Sequence, residues 1–356
     1  MRLKRSSMYK YAPHMRVYNR YSHIWKPYIM FTNTSNLRTK VLNTDHLGLR
    51  FNSSYNDKFR AKNIFDQKNE KNECGAIFGA STAFGLGASK DDTTISSQLS
   101  KDTDVFFYNL GVSAFTGFQE VVLHQSLINY FDKIKYLIVL SGLNDLMLVD
   151  YIDEFDQELG PYFYNTHFLS GMDNMTLNNK RKIAKFFLSP FLHKDVDWVN
   201  ITQKQLFEMI LKNRKFKKTN FDNTTKDNLL RKYLIRNLTY WSNIQKIYKV
   251  KLFYILQPFP KWCEKSLSIE EKEIFTELDS NNLKVHNIEK SLESSYSKYV
   301  GYLSEYCNKY NINFIDSNKY FKENIKANDW CFIDRSHLTD LGNKYMSNLI
   351  RSVIKV

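Results

Sequence analysis

The 356-residue sequence predicts an α/β protein whose five-stranded parallel sheet is wound by βαβ units. Short apolar runs of strand length alternate with longer segments whose apolar residues recur at helical spacing. The first three runs, "CGAIFG", "DVFFYNLG" and "KYLIVLSG", each end in glycine. Seven of the twelve glycines fall between Gly75 and Gly142, near the ends of these runs or in the loops after them. Those are the positions where an open parallel sheet places its ligand-binding loops.

Residues 1–73 are polar, aromatic and irregular, with turn signals in "NTDHLGLRFNSSYND". They predict an extended arm or small subdomain packed on the domain that follows, 74–356. The first strand, 74–79, leads through a loop into the helix-like "DTTISSQLSKD". The second strand, 104–111, is followed by "GFQEVVLHQSLINYF" at helical spacing, and the third strand covers 135–142. Residues 146–227 break the rhythm, first aromatic and acidic ("VDYIDEFDQELGPYFYN"), then basic ("NNKRKIAK", "KNRKFKK"). They are expected to form an insertion, a helical cap.

The alternation resumes with the helical "NLLRKYLIRNLTYWSNIQKIY" and a fourth strand in "KLFYILQP" (251–258). Ser268 and Glu271 stand at the spacing of a capping box and open a helix through "EEKEIFTEL". Helix continues to about Tyr310, and "INFID" (312–316) is the fifth strand. Thr339 or Asp340 caps a terminal amphipathic helix.

With 43% hydrophobic and 25% charged residues, the chain is globular rather than disordered. Its four cysteines are scattered, without a CxxC pair or metal-ligand spacing, so reduced thiols are expected and neither a disulfide framework nor a bound metal. The net charge of +14 fits a solvated Lys-rich surface or attraction for an anionic substrate. Lys212, Arg214 and Lys215 in the basic insert are the candidate contacts for such a substrate. Zinc-finger spacing, an RNP-like aromatic motif and an isolated basic helix are all missing, so no nucleic-acid partner is expected. The longest clean apolar run, "YLIVL", is far too short to span a bilayer. The basic N-terminus has no apolar run behind it, unlike a secretory signal. The expectation is a cytoplasmic protein, free or peripheral at the inner membrane.

Candidate chemistry collects at the strand ends. "GAST" directly after the first strand makes a tight strand-to-helix turn, where Ser81 can stand exposed above the sheet with helical N–H groups aimed at it. Alone, it is equally a small-residue turn around a satisfied serine. A phosphate-binding loop is excluded by the lack of GK[ST] and of GxGxxG in register. In "DRSHLTDLG", Asp334 precedes His337 by three residues, the arrangement a general base needs to hold one tautomer. Alone, it is also a loop salt bridge. Gly111 in "NLG" offers a backbone N–H, and Asn144 in "SGLND" a neutral side-chain donor, both suited to a tetrahedral oxyanion. Asn after a strand is otherwise an ordinary turn former.

In this order, Gly-x-Ser, Asn-x-Gly, Gly-x-Asn-Asp and Asp-x-x-His resemble the blocks of the SGNH (GDSL-type) hydrolase family, over about 74–145 and 250–356. The resemblance implies a three-layer α/β/α sandwich with flavodoxin-like strand order. It makes Ser81 the nucleophile, His337 the base and Asp334 its orienting partner. The oxyanion hole would combine the N–H of Ser81, the N–H of Gly111 and the side chain of Asn144. Ala80 stands where the family's "GDS" has aspartate, a departure that bears on substrate preference rather than on the triad. "DHLGLRF" (45–51), and "LQP" followed by "KSLSIEE", resemble a bacterial subset associated with surface polysaccharides. The implied activity is serine-dependent hydrolysis of acyl groups, O-acetyl above all, on a carbohydrate or surface polysaccharide, anionic if the basic insert contacts it. O-acetyl transfer from a donor such as acetyl-CoA uses the same residues, with no resident cofactor in either case. A non-catalytic carbohydrate-binding member of the fold is the third reading.

Overall fold

Five parallel strands form the central sheet: β1 (Cys74–Gly79), β2 (Phe106–Gly111), β3 (Ile134–Ser141), β4 (Lys251–Leu256) and β5 (Asn313–Asp316). Their spatial order is β2-β1-β3-β4-β5. The chain therefore leaves β1 to one side and returns on the other, which opens a crevice at the carboxyl ends of β1 and β3. At that edge Gly79 lies opposite Gly111 on one flank and Leu140 on the other. The computed structural model describes residues 6–21, 23–53, 63–65, 73–149, 155–163, 221–281 and 283–354.

The strands read as continuous apolar runs because both faces of the sheet are covered. Successive side chains alternate between two cores. Leu137, Val139, Leu252, Tyr254 and Leu256 pack on helices α3 (Gly117–Leu127), α5 (Asn223–Tyr248) and α7 (Leu283–Lys309) through residues such as Val121, Trp241 and Leu303. Ile138, Leu140, Phe253 and Ile255 pack on α2 (Ile95–Asp102), α8 (Ser317–Asn324) and α9 (Asp340–Ile354) through Leu99, Phe321, Met346 and Ile350. The result is three layers, helix–sheet–helix, as the sequence reading expects.

Helix starts follow local chemistry. The Thr94 hydroxyl accepts from Ser97 N–H at 3.3 Å at the head of α2. Ser268 and Glu271 make both bonds of the capping box at the head of α6 (Ile269–Asn281): Ser268 N–H to Glu271 Oε2 at 2.8 Å, and Glu271 N–H to Ser268 Oγ at 3.3 Å. At α9 the choice between two residues resolves to Thr339, which accepts from Gly342 N–H at 3.2 Å. Asp340 instead receives the N–H and the hydroxyl of Ser89, at 2.8 and 2.5 Å.

One boundary and one element differ from the sequence expectation of a helical insertion over 146–227. α5 begins at Asn223, inside the span assigned to the insertion, because Asp222 caps it by accepting Thr225 N–H at 2.7 Å. Phe155–Asp156 and Gly160–Pro161 pair as a small antiparallel hairpin. The rest of the insertion, 150–154 and 164–220, lies outside the described residues. Ahead of the sheet, residues 6–53 contribute short helices at Ser6–Tyr11 and Met15–Tyr18 and a hairpin of Ile24–Lys26 with Met30–Thr32. Phe31 and Leu49 enter one core, Met8 and Met15 the other. All four cysteines are buried thiols. Among the described residues no helix is long and apolar enough to cross a membrane.

Candidate active site

Ser81 opens α1 (Ser81–Phe84), a single turn set directly on the end of β1. Gly85 stops the turn in the left-handed region at φ +81°, and its N–H bonds to the carbonyls of Ser81 and Thr82 at 3.0 and 3.1 Å. The turn lies flat on β2 because Gly111 has no side chain. A Cβ there would stand 2.1 Å from the Phe84 nitrogen. The placement of Ser81 is thus a consequence of backbone-to-backbone contact at the sheet edge.

His337 comes from a tight loop ahead of α9. The Ile333 N–H bonds to the His337 carbonyl at 2.9 Å, closing the loop on itself. Inside it, Asp334 Oδ1 accepts the N–H groups of Ser336 and His337, both at 2.9 Å. His337 Nδ1 lies 2.8 Å from each Asp334 oxygen, and Nε2 lies 2.7 Å from Ser81 Oγ. Burial pushes the Asp334 carboxyl up, but the His337 charge, the ring hydrogen bond and the two backbone donors outweigh it. The net effect takes Asp334 down to about 2. An ionised carboxylate only accepts, so the proton sits on Nδ1 and the Nε2 lone pair faces the Ser81 hydroxyl.

Three anchors hold this loop. Glu271 Oε1 accepts the N–H groups of Cys331 and Phe332 at 3.0 and 2.9 Å. Arg335 ion-pairs with both Asp279 and Glu289. The Thr82 hydroxyl donates to the Ser336 carbonyl at 3.3 Å, tying the serine turn to the histidine loop. The His337 side chain keeps 17% of its surface exposed, so the imidazole is held yet reachable.

Asn144 lies in α4 (Leu143–Met147), after Gly142. Its Nδ2 donates to the Phe115 carbonyl at 2.7 Å, which orients the amide and leaves its second N–H available. Gly111 is different. The sequence reading expects its N–H to face the site, whereas it donates to Asn109 Oδ1 at 3.1 Å. β2 is an edge strand, and the asparagine two residues earlier supplies the acceptor that a further strand would have supplied. In the loop that follows, Ala114 adopts φ +64°, a left-handed conformation rare for a residue with a Cβ. Its N–H has no hydrogen-bond partner among the described residues. No glycine marks this position, so the sequence holds no signal for it.

No family model matches the chain, and no curated protein matches it either. Among solved structures it is similar to LAE5, an alpha/beta hydrolase enzyme from the metagenome of Lake Arreo, Spain. That likeness has 10% identity and TM-score 0.39 and covers 80% of this chain and 96% of the other. It is also similar to the acetyl xylan esterase AlAXEase, at 12% identity and TM-score 0.38, covering 79% of this chain and 99% of the other. A third is a member of the lipolytic protein G-D-S-L family from Veillonella parvula, at 12% identity and TM-score 0.37, covering 79% and 97%. These likenesses are weak, and the chemistry stands on the side chains themselves.

The structure brings Ser81, His337 and Asp334 into one hydrogen-bonded line and sets Asn144 with its amide oriented by the neighbouring loop. Lys212, Arg214 and Lys215 lie outside the described residues. Among the described residues, no group of three or more His, Cys, Asp or Glu is arranged to hold a metal ion.

Proposed function

We propose that the protein is a serine-dependent ester hydrolase that removes acyl groups, O-acetyl above all, from a carbohydrate or surface polysaccharide. The observation that carries the reading is the relay Ser81 Oγ–His337 Nε2 at 2.7 Å and His337 Nδ1–Asp334 at 2.8 Å. Ser81 Oγ attacks the acyl carbonyl as its proton passes to Nε2, and Asp334 stabilises the imidazolium. The tetrahedral oxyanion is met by the Ser81 N–H, the second Asn144 N–H and the N–H of Ala114, which replaces Gly111 in that role. Collapse breaks the ester bond, and His337 protonates the departing sugar oxygen. Water, deprotonated by His337, then cleaves the acyl-enzyme, releasing the acid and restoring the Ser81 hydroxyl. The carbohydrate class rests on the resemblance of "DHLGLRF" and "KSLSIEE", and the charge of +14 suits an anionic polymer.

The test is hydrolysis of p-nitrophenyl acetate by the wild type, Ser81→Ala and His337→Ala. Each variant is expected to lose at least about 10³-fold in kcat. An inert wild type, or full activity in Ser81→Ala, removes the proposed nucleophile. Repeating the assay with acetyl-CoA and acceptor sugars shows whether water or a sugar hydroxyl receives the acyl group.

A further inference from the structure

We propose that Arg50 is a positioning residue for Ser81, setting the serine turn against the histidine loop from the N-terminal arm. This rests on the reading of Ser81 as the nucleophile. The Arg50 side chain is fully buried. Its Nε donates to Asp91 Oδ1 at 2.7 Å, and Nη2 donates to the Val41 carbonyl at 2.8 Å. Nη1 donates to the Gly85 carbonyl at 2.7 Å and to the Tyr18 hydroxyl at 2.9 Å, with the Phe84 carbonyl 3.4 Å away. Phe84 and Gly85 end the turn that Ser81 begins.

The chemistry of a one-turn helix explains why this matters. Its terminal carbonyls have no intrahelical partner, and a buried carbonyl without a donor is costly. A cation at that end also complements the local dipole. Arg50 supplies both from a part of the chain that precedes the sheet. Two more arm side chains act on the same loop. The Tyr18 hydroxyl lies 2.6 Å from the Ala88 carbonyl, and His14 Nε2 lies 2.9 Å from the Gly87 carbonyl. Gly87 in turn backs onto Leu338, the neighbour of His337: a Cβ on Gly87 would stand 2.3 Å from the Leu338 carbonyl oxygen. The loop 85–88 is therefore gripped between the arm and the histidine loop, and its height fixes the Ser81–His337 separation.

"DHLGLRF" is the device that delivers the guanidinium. Asp45 Oδ1 accepts the N–H groups of Leu47 and Leu49 at 2.8 and 2.9 Å, and Gly48 turns at φ +87°. Arg50 emerges from this turn directed inward. Its planar fork reaches separate acceptors at once, which a lysine ammonium cannot reproduce.

The experiment compares wild type, Arg50→Lys, Tyr18→Phe and Ser81→Ala by two readouts: ester kinetics, and ¹⁵N NMR of the His337 ring, with circular dichroism to show folding. Arg50→Lys is expected to lower kcat about 10- to 100-fold while KM stays within about threefold. Its Nε2 resonance should move toward the position seen in Ser81→Ala, where the serine contact is gone. Tyr18→Phe should shift both readouts the same way by less. A folded Arg50→Lys whose kcat and Nε2 resonance match wild type overturns the proposal. Should Arg50→Lys fail to fold, Tyr18→Phe decides, and an unmoved Nε2 resonance in it overturns the proposal. If the wild type turns over no ester, the hydrolase reading fails on its own, and a shifted ring resonance in Arg50→Lys still supports the positioning role.

Discussion

Ser81 Oγ stands 2.7 Å from His337 Nε2 across 256 residues of chain, and a second bond, from the Thr82 hydroxyl to the Ser336 carbonyl, repeats the contact one residue along. The serine turn and the histidine loop are thus joined at two adjacent pairs. Further along both segments, Ser89 bonds to Asp340 at the head of α9. A strand end and a helix start that are remote in sequence are thus joined through three residue pairs. In the proposed mechanism these contacts align the relay before any substrate arrives, which is the condition for fast proton transfer.

Asp334→Asn tests the relay by tautomer. An asparagine that turns its amide to Nδ1 moves the ring proton to Nε2 and removes the acceptor facing Ser81. A fall in kcat of about 10³- to 10⁴-fold with KM little changed is expected. The same variant has a pH signature. The Asp334 carboxyl sits at about 2, below its unfolded value, so its stabilisation is present above about pH 4 and lost as pH falls through about 2. The difference in urea midpoint between wild type and Asp334→Asn should be largest near pH 6. It should shrink to roughly half by pH 3. Equal differences at both pH values would contradict the ionised assignment.

Glu120 gives the opposite slope. It is buried, takes the Ser141 hydroxyl on Oε1 at 2.6 Å, and its Oε2 has no partner among the described residues. Burial raises the carboxyl; the Ser141 bond lowers it less, and the Asp145 charge raises it further, to about 8. The folded state holds a proton that the unfolded chain releases above about pH 4.5, so stability falls as pH rises from there to 8. Glu120→Gln keeps the acceptor for Ser141 and cannot ionise. Between pH 5 and 8 it should gain on the wild type, by on the order of 3 kcal/mol. Denaturant titrations at the two pH values check this, and a pH-independent difference counts against it.

The sheet, its helices and the capping box at Ser268 were legible because each depends on spacing within one segment. The strand-end positions of Ser81, Gly111 and Asn144 were legible for the same reason. What escaped was decided by partners elsewhere in the chain. Asn109 lies inside "NLG" itself, but it takes the Gly111 N–H only because β2 lies at the sheet edge, and the strand order is not written in that segment. The left-handed Ala114 carries no glycine to announce it. Glu271 is visible as a capping residue, but its other oxygen holds the backbone of the histidine loop sixty residues away. Arg50 reads as one more cation in a basic chain until the carbonyls of Phe84 and Gly85 are set beside it.

Gly111→Ala probes the contact that seats the serine turn. Its Cβ would lie 2.1 Å from the Phe84 nitrogen and 2.5 Å from the Ala83 carbonyl carbon, both backbone atoms with no room to yield. α1 must lift, costing about 1–3 kcal/mol in stability and about 10²-fold in kcat through misalignment. Gly301→Ala, on an exposed stretch of α7 with nothing within 4 Å of the added carbon, is the matched control. It should stabilise the protein by up to about 1 kcal/mol and leave kcat alone. Thermal melts and ester kinetics on both variants decide the point, and a Gly111→Ala as active as Gly301→Ala refutes it.

Asn144→Ala isolates the oxyanion. The amide donates one N–H to the Phe115 carbonyl at 2.7 Å, and the proposed mechanism gives the other to the tetrahedral intermediate, where negative charge first appears on the substrate. Its loss should cost about 10²- to 10³-fold in kcat, with KM within about threefold, since the bond forms only in the transition state. Asn144→Asp sharpens the test. It keeps the shape of the side chain but sets an acceptor against both the Phe115 carbonyl and the oxyanion, so its kcat should fall further than that of the alanine variant. If Asn144→Asp instead equals or exceeds Asn144→Ala in kcat, the amide is not donating to the reacting carbonyl and its place is to hold the Val112–Thr116 loop alone.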